Sequence, residues 1–306
     1  MLPSHVDCPS SPRNQPCPYA MLTPTQPSNP AQSSTSWHGE LDLIFTCQDT
    51  QTKLTYCKTT APYRVQRAFQ NPDGSCQVVM LHTAGGMVSG DRLTAKLHLG
   101  DRAAALLTTA TAGKIYRSTG LQTQQHIHIT VGHDARLEWL PQETILFDRA
   151  WFKQTVRIDL KPGATALLWD VTRLGRTAHG ERFISGEWRS HTEVFRDGVP
   201  LWIDRQWLPA SAQLWDSPHG LAGHCIVGTL AWVGRSVSPE LVNEIRDLWP
   251  GDKASIGVTR LTEGLLCRYR GTSSHEVRTW FVAVWKHLRS TGSNPPSWEI
   301  PRIWMI

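Results

Sequence analysis

No C-x-x-C pair occurs in this 306-residue sequence. The seven cysteines (Cys8, Cys17, Cys47, Cys57, Cys76, Cys225 and Cys267) are odd in number and widely spaced, so neither a zinc site nor a disulfide framework is indicated. There is no N-x-S/T acceptor. No apolar run approaches the roughly 18 residues of a membrane span, and the N-terminus lacks the apolar stretch of a secretory signal. The expectation is a cytoplasmic protein with no membrane partner. A dense Lys/Arg run is also missing. The net charge of +5 comes from scattered arginines such as Arg173, Arg189 and Arg205. Nucleic acid is therefore not an expected partner, whereas an acidic protein fits the charge.

Several catalytic signatures fail at one residue. TAGGMVSGDRL (83–93) is rich in glycine, with Gly85, Gly86 and Gly90. A phosphate loop would end in Gly-Lys-Ser/Thr, but Gly90 precedes Asp91, whose charge repels phosphate. The same stretch contains neither G-x-G-x-x-G nor the G-x-S-x-G of a nucleophile elbow. Its glycines read as a bend between strands, where positive φ is tolerated. His275-Glu276 opens like a zinc-protease helix, but the second ligand position is Thr279. The pattern there reads as a capped helix start.

Residues 1–36 form a block of Pro, Ser, Thr and Gln that is expected to be a disordered tail. Met21 lies within it and is an alternative start. From Trp37 onward the pattern is β. HIHITV (126–131) and TVRIDL (155–160) alternate, which places Ile127, Ile129 and Val131, and then Val156, Ile158 and Leu160, on one face. Turn signals recur at Asn71-Pro72-Asp73-Gly74, Lys161-Pro162-Gly163 and Arg196-Asp197-Gly198. Two helices are expected near the end. Ser238-Pro239-Glu240 supplies an N-cap, an N1 proline and an acidic first turn. Ser273-x-x-Glu276 opens the second, which carries an apolar stripe from Val277 to Leu288. Residues 257–271 read as a hairpin between them. Residues 37–306 are thus expected to form a single, mainly β domain with C-terminal helices.

The chemistry-bearing residues that remain are acids in apolar surroundings: Asp91, Glu143, Asp148, Asp170 and Glu181. A buried carboxylate needs a partner, a proton or a cation. Each can pair with a nearby arginine (Arg92, Arg149, Arg173 or Arg182), or together they can offer hard oxygen ligands to a divalent metal. His126 and His128 share one face of a strand and are either a solvated polar face or a metal pair. Most of the 14 tryptophans, among them Trp139, Trp169, Trp188, Trp202, Trp207 and Trp215, read as core; exposed, they would suit a sugar or a protein interface.

Six segments in order, VMLHTAGGMVSGDRL (79–93), ALLTTATAGKIYRS (105–118), LEWLPQETILFDRA (137–150), LGRTAHGERF (174–183), SPHGLAGHCIVGTL (217–230) and PRIW (301–304), resemble the UreD (UreH) family of urease accessory proteins. The resemblance implies a mostly β, flattened β-helix-like stack of sheets with two short helices near the C-terminus. It implies a noncatalytic maturation factor that binds urease apoprotein and the accessory proteins UreF and UreG and helps deliver nickel to the urease active site. No tightly bound cofactor is implied, only transient nickel, whose ligands stay open. The acids above become candidates for a nickel path or for structural pairing. Gly85, Gly86, Gly90, Lys114, Tyr116, Arg117, Gly175, Arg176 and Gly180 become scaffold residues of the family motifs. Two rival readings are a β-rich hydrolase using two of the carboxylates at split pKa values, and a Trp-rich carbohydrate-binding module.

Overall fold

The computed structural model describes residues 36–291 and 300–304. The tail expected over residues 1–36 lies outside the described residues apart from Ser36. The chain opens with β1 (His38–Gln48), β2 (Gln51–Thr59), β3 (Tyr63–Val65), β4 (Phe69–Gln70), β5 (Cys76–His82) and β6 (Arg92–Leu99). Next come β7 (Ala104–Thr109), β8 (Gly113–Ile115), β9 (Thr123–Val131), β10 (Arg136–Trp139), β11 (Thr144–Leu146), β12 (Trp151–Leu160) and β13 (Thr165–Leu174). β14 (Glu187–Arg196) and β15 (Val199–Pro209) precede the short helix α1 (Ala212–Asp216). β16 (Ile226–Val233), α2 (Pro239–Asp247), the hairpin β17 (Ile256–Leu261) and β18 (Gly264–Gly271), and α3 (Ser274–Ser290) complete the order.

From β6 to β14 the chain passes back and forth between two sheets. β6, β9, β12 and β14 lie side by side in a seven-stranded sheet, ordered β15-β14-β12-β9-β6-β1-β2. β7, β10 and β13 lie in an eleven-stranded sheet, ordered β17-β18-β16-β13-β10-β7-β5-β3 with β4, β8 and β11 attached. Each circuit adds a parallel strand to both sheets. The result is the expected flattened, solenoid-like stack. Alternation explains the packing: in β12, Phe152, Val156, Ile158 and Leu160 point inward and are buried, as are Ile127, Ile129 and Val131 of β9.

The two longer helices start where their caps predict. Ser238 Oγ accepts from Leu241 N–H and Ser273 Oγ from Glu276 N–H, each at 3.2 Å. The stripe of α3, Val277, Trp280, Phe281, Val284, Trp285 and Leu288, is buried. Helix α1 was not expected: at five residues it is too short to show a helical period, and Ser211 caps it. The C-terminal end closes over α3 and the larger sheet. Trp304 sits 5.0 Å from Trp169 and 5.4 Å from Trp285, ring centre to ring centre. Its Nε1 donates to Thr108 Oγ1 at 3.0 Å.

The glycine-rich stretch is a corner that carries the chain from β5 in one sheet to β6 in the other. Gly86 has φ +156°, and a Cβ there would come within 2.6 Å of the Tyr116 ring and 2.8 Å of Lys114 O. This close approach lets Met87 exchange backbone hydrogen bonds with Lys114 and Tyr116 beside β8.

Candidate functional site

A cavity of about 450 Å³ lies between the two sheets. Its polar wall comes from inward strand positions occupied by polar residues. On the seven-stranded sheet the register aligns Gln125, Gln154, Ser190 and Gln206 in one cross-strand row. On the eleven-stranded sheet Asp170, Thr229 and Arg268 form the facing row. Hydrogen bonds join the two: Gln154 Nε2 donates to Asp170 Oδ2 at 3.2 Å, Ser190 Oγ to the same oxygen at 2.9 Å, and Gln206 Nε2 to Thr229 Oγ1 at 3.3 Å.

The two carboxylates in this wall are treated differently. Asp204 is held by both Nη atoms of Arg268, at 2.9 and 2.6 Å, and accepts from Gln206 at 2.8 Å. Asp170 has only neutral donors and enters no ion pair among the described residues. Burial, and then the charge of Asp204, push its carboxyl above the usual carboxylate range despite the bonds from Ser190 and Gln154. Such a group favours a proton or an incoming cation. His82 also lines the cavity, and both its ring nitrogens are buried without a hydrogen-bond partner. Burial lowers its pKa, with the charge of Asp91 working the other way. Gln154, Ser190, Asp204 and Arg268 escaped the sequence reading. For Gln154 and Ser190 the visible signal is a polar residue in the buried phase of its strand.

The other four acids lie elsewhere. Asp91 is buried in the glycine corner, where Oδ1 accepts from Trp37 N–H and Oδ2 from Val88 N–H, each at 2.8 Å. Glu143 forms an ion pair with Arg278 in the first turns of α3. Asp148 Oδ1 accepts from Ile184 N–H at 3.0 Å and Ser185 N–H at 2.9 Å. Glu181 binds Arg176 at 2.5 Å and accepts from the backbone of Asp148 and Arg176. The Arg176 hydrogen bond draws the Glu181 carboxyl below its ordinary range, against a smaller effect of burial. Asp148 and Glu181 are thus brought together, while Asp170 is the one of the five on the cavity wall. The expected arginine partners were sequence neighbours; the partners found are Arg278 and Arg176, because the fold and a tight turn set these distances.

The motif residues surround the same features. Gly85, Gly86 and Lys114 line the cavity, and Gly90 takes φ +86° in the corner. Tyr116 packs edge-on against Phe147 at 4.8 Å, and the Arg176 guanidinium lies 4.3 Å over that ring from the other direction in sequence. Gly175 and Gly180 take φ +83° and +72° at the two ends of the Arg176–Glu181 turn. Arg117 is exposed. His126 contacts Gln124 at 3.2 Å and His128 contacts Asp159 at 2.7 Å on the outer face of the sheet. Among the described residues no group of three or more His, Cys, Asp or Glu side chains is placed to hold a metal. Of the six named tryptophans, five are buried and Trp207 is exposed. No helix of the described residues is long and apolar enough to cross a membrane.

The family model described as "UreD urease accessory protein" matches residues 38–305. A protein of Nostoc punctiforme named urease accessory protein UreD is 52% identical over 277 residues, covering 90% of this chain and 99% of the relative. Its namesake in Acaryochloris marina is 51% identical over 273 residues, covering 89% and 96%. The one in Thermosynechococcus vestitus is 47% identical over 270 residues, covering 88% and 98%.

Proposed function

The chain belongs to the UreD family of urease accessory proteins, and from that membership we propose that it is a noncatalytic scaffold which binds urease apoprotein and UreF- and UreG-type partners and passes nickel through its interior. The observation that carries this reading is Asp170, a cavity carboxylate without a counter-cation. Amide, hydroxyl and carboxylate oxygens around it offer a dication weak, hard ligands. Weak ligation suits a cargo that must leave again, whereas a closed Cys/His cage would retain it. Asp204 is already neutralised by Arg268, so that ion pair fixes the wall while Asp170 meets the cargo. The same pairing argues against a hydrolase, which needs both carboxylates free for acid and base roles. Burial of most of the named tryptophans argues against a sugar-binding platform.

The test is Asp170→Asn, which keeps the shape and most of the hydrogen bonding but removes the charge. The variant is co-expressed in cells with urease and the other accessory proteins, and nickel per urease active site is measured. Reduced nickel with intact complexes is expected. Full nickel loading would remove Asp170 from the path, and failure of the wild-type chain to bind any of these partners would remove the scaffold reading.

A further inference from the structure

Among the described residues no helix covers the outer face of the seven-stranded sheet, since the longer helices pack on β13, β16 and β17 of the other sheet. Its five central strands, β1, β6, β9, β12 and β14, run parallel. Parallel strands in folded proteins normally have both faces covered.

The side chains on this face are arranged in two parts. At the β15 edge a single carboxylate fixes two exposed indoles. Glu187 Oε1 accepts from Trp151 Nε1 at 3.2 Å and Oε2 from Trp207 Nε1 at 3.1 Å. Trp207 is 59% exposed and Trp151 38%. Arg189 pairs with the same Glu187 and lies 5.1 Å over the Trp207 ring. The indoles are therefore held in position before any partner arrives. Rigid Trp and Arg side chains of this kind dominate binding energy at protein interfaces. Next to this edge, the cross-strand row Arg92, Gln124, Lys153, Arg189 carries positive charge. Strands lie about 4.8 Å apart, so Arg92 and Lys153 stand about 10 Å apart across Gln124. Three acids on this face are already engaged: Asp159 by Arg157 and His128, Glu187 by Arg189, and Glu193 by Arg205; Glu40 and Asp42 of β1, beyond Arg92, are the acids on it without an ion pair among the described residues. Arg92 and Lys153 enter no ion pair among the described residues. The resulting field is visible in His126 and His191, whose pKa values are lowered by burial and then by Lys153 and its cationic neighbours.

We infer that this face, with Trp207 and Trp151 as anchors and Arg92 and Lys153 as the charged field, docks an acidic protein surface. The inference rests on the scaffold reading above, which supplies the proteins to test. Charge complementarity selects the occupant: an unpaired cationic row gains from facing carboxylates, and the apolar indoles gain from being covered.

The full-length chain is immobilised, and the binding of urease apoprotein and of UreF is measured separately at low and at high salt. Lys153→Glu is expected to weaken at least one of the two about tenfold at low salt and to flatten its salt dependence. Trp207→Ala should weaken the same partner at both salt concentrations. Arg260→Glu, on the exposed edge of the other sheet, should bind as wild type. Melting curves establish that all three variants fold. Wild-type binding of both proteins by Lys153→Glu and Trp207→Ala would overturn the inference. So would loss of binding to a polysaccharide or nucleic acid with urease and UreF binding unchanged. A wild-type chain that binds neither protein would instead overturn the scaffold reading, and the docking inference with it.

Discussion

Arg289, in the last turn of α3, donates from Nε and Nη2 to the two oxygens of Glu138 on β10, at 2.7 and 2.5 Å across 151 residues of sequence. Both side chains are buried, and Arg289 also contacts Asp73 at 3.3 Å. The helix is thereby pinned to the middle of the larger sheet. Removing one partner strands a buried charge. Arg289→Ala should therefore cost about 3–5 kcal/mol, read from urea unfolding followed by tryptophan fluorescence. The apolar double replacement Glu138→Leu, Arg289→Met should be more stable than that single variant; a double variant that is no better would mean the pair's packing, not its charge, dominates.

Acid stability should split between two aspartates. Burial pushes the Asp73 carboxyl up, but Ser75, Arg289 and Arg136 outweigh it and the net shift is downward. Its contribution is present above the ordinary carboxylate range and is lost as pH falls through the folded pKa. Asp170 has the opposite sign. Its folded pKa is raised, so it binds a proton more tightly when folded, and stability falls as pH rises from the unfolded toward the folded pKa. Asp170→Asn should therefore raise the melting temperature more at about pH 7 than at about pH 4. An equal change at both values would show that Asp170 does not titrate in this interval.

The two adjacent glycines of the corner should behave differently. At Gly85 (φ +75°) a Cβ meets nothing within 4 Å, so only backbone strain opposes a side chain. Gly85→Ala should cost about 1–2 kcal/mol. At Gly86 a Cβ collides with the Tyr116 ring and the Lys114 carbonyl. Gly86→Ala should lower soluble yield sharply while Gly85→Ala does not, as quantified on matched expression cultures.

Removal of residues 1–36 should leave urease activation intact. The family match begins at residue 38, so this segment lies outside the residues that the family model matches. The cut must spare Trp37, whose N–H donates to Asp91. Deletion of 1–37 should therefore be the more damaging of the two in an activation assay at equal protein level; equal activity would show that the Trp37 contact is dispensable.

Local signals were legible in the sequence where one segment contains its own cause. The caps at Ser238 and Ser273, the α3 stripe and the alternation of β9 and β12 all follow from neighbouring residues. The site was legible only in part. Asp170 stood out as an acid between apolar residues, but its solitude depends on Arg268 being committed to Asp204, 64 residues away. Glu143 looked equally exposed to chemistry, yet α3 brings Arg278 to it across 135 residues. Such pairings arise from sheet stacking, which has no local period to read. The inward row Gln154, Ser190 and Gln206 was hidden because polar residues in strands are ordinarily assigned to the solvent side.

The closure made by Trp304 also sets a schedule for synthesis. It covers Trp169 and reaches Thr108, 196 residues earlier. At about 5–20 residues per second those residues take about 10–40 s to leave the ribosome. Until then the strands already made present an open apolar surface to the cell, with the segments that will seal it not yet translated. The nascent chain therefore passes its most aggregation-prone interval before its own clasp exists, and a protein that covers that surface during translation protects it in a way that one arriving after release does not.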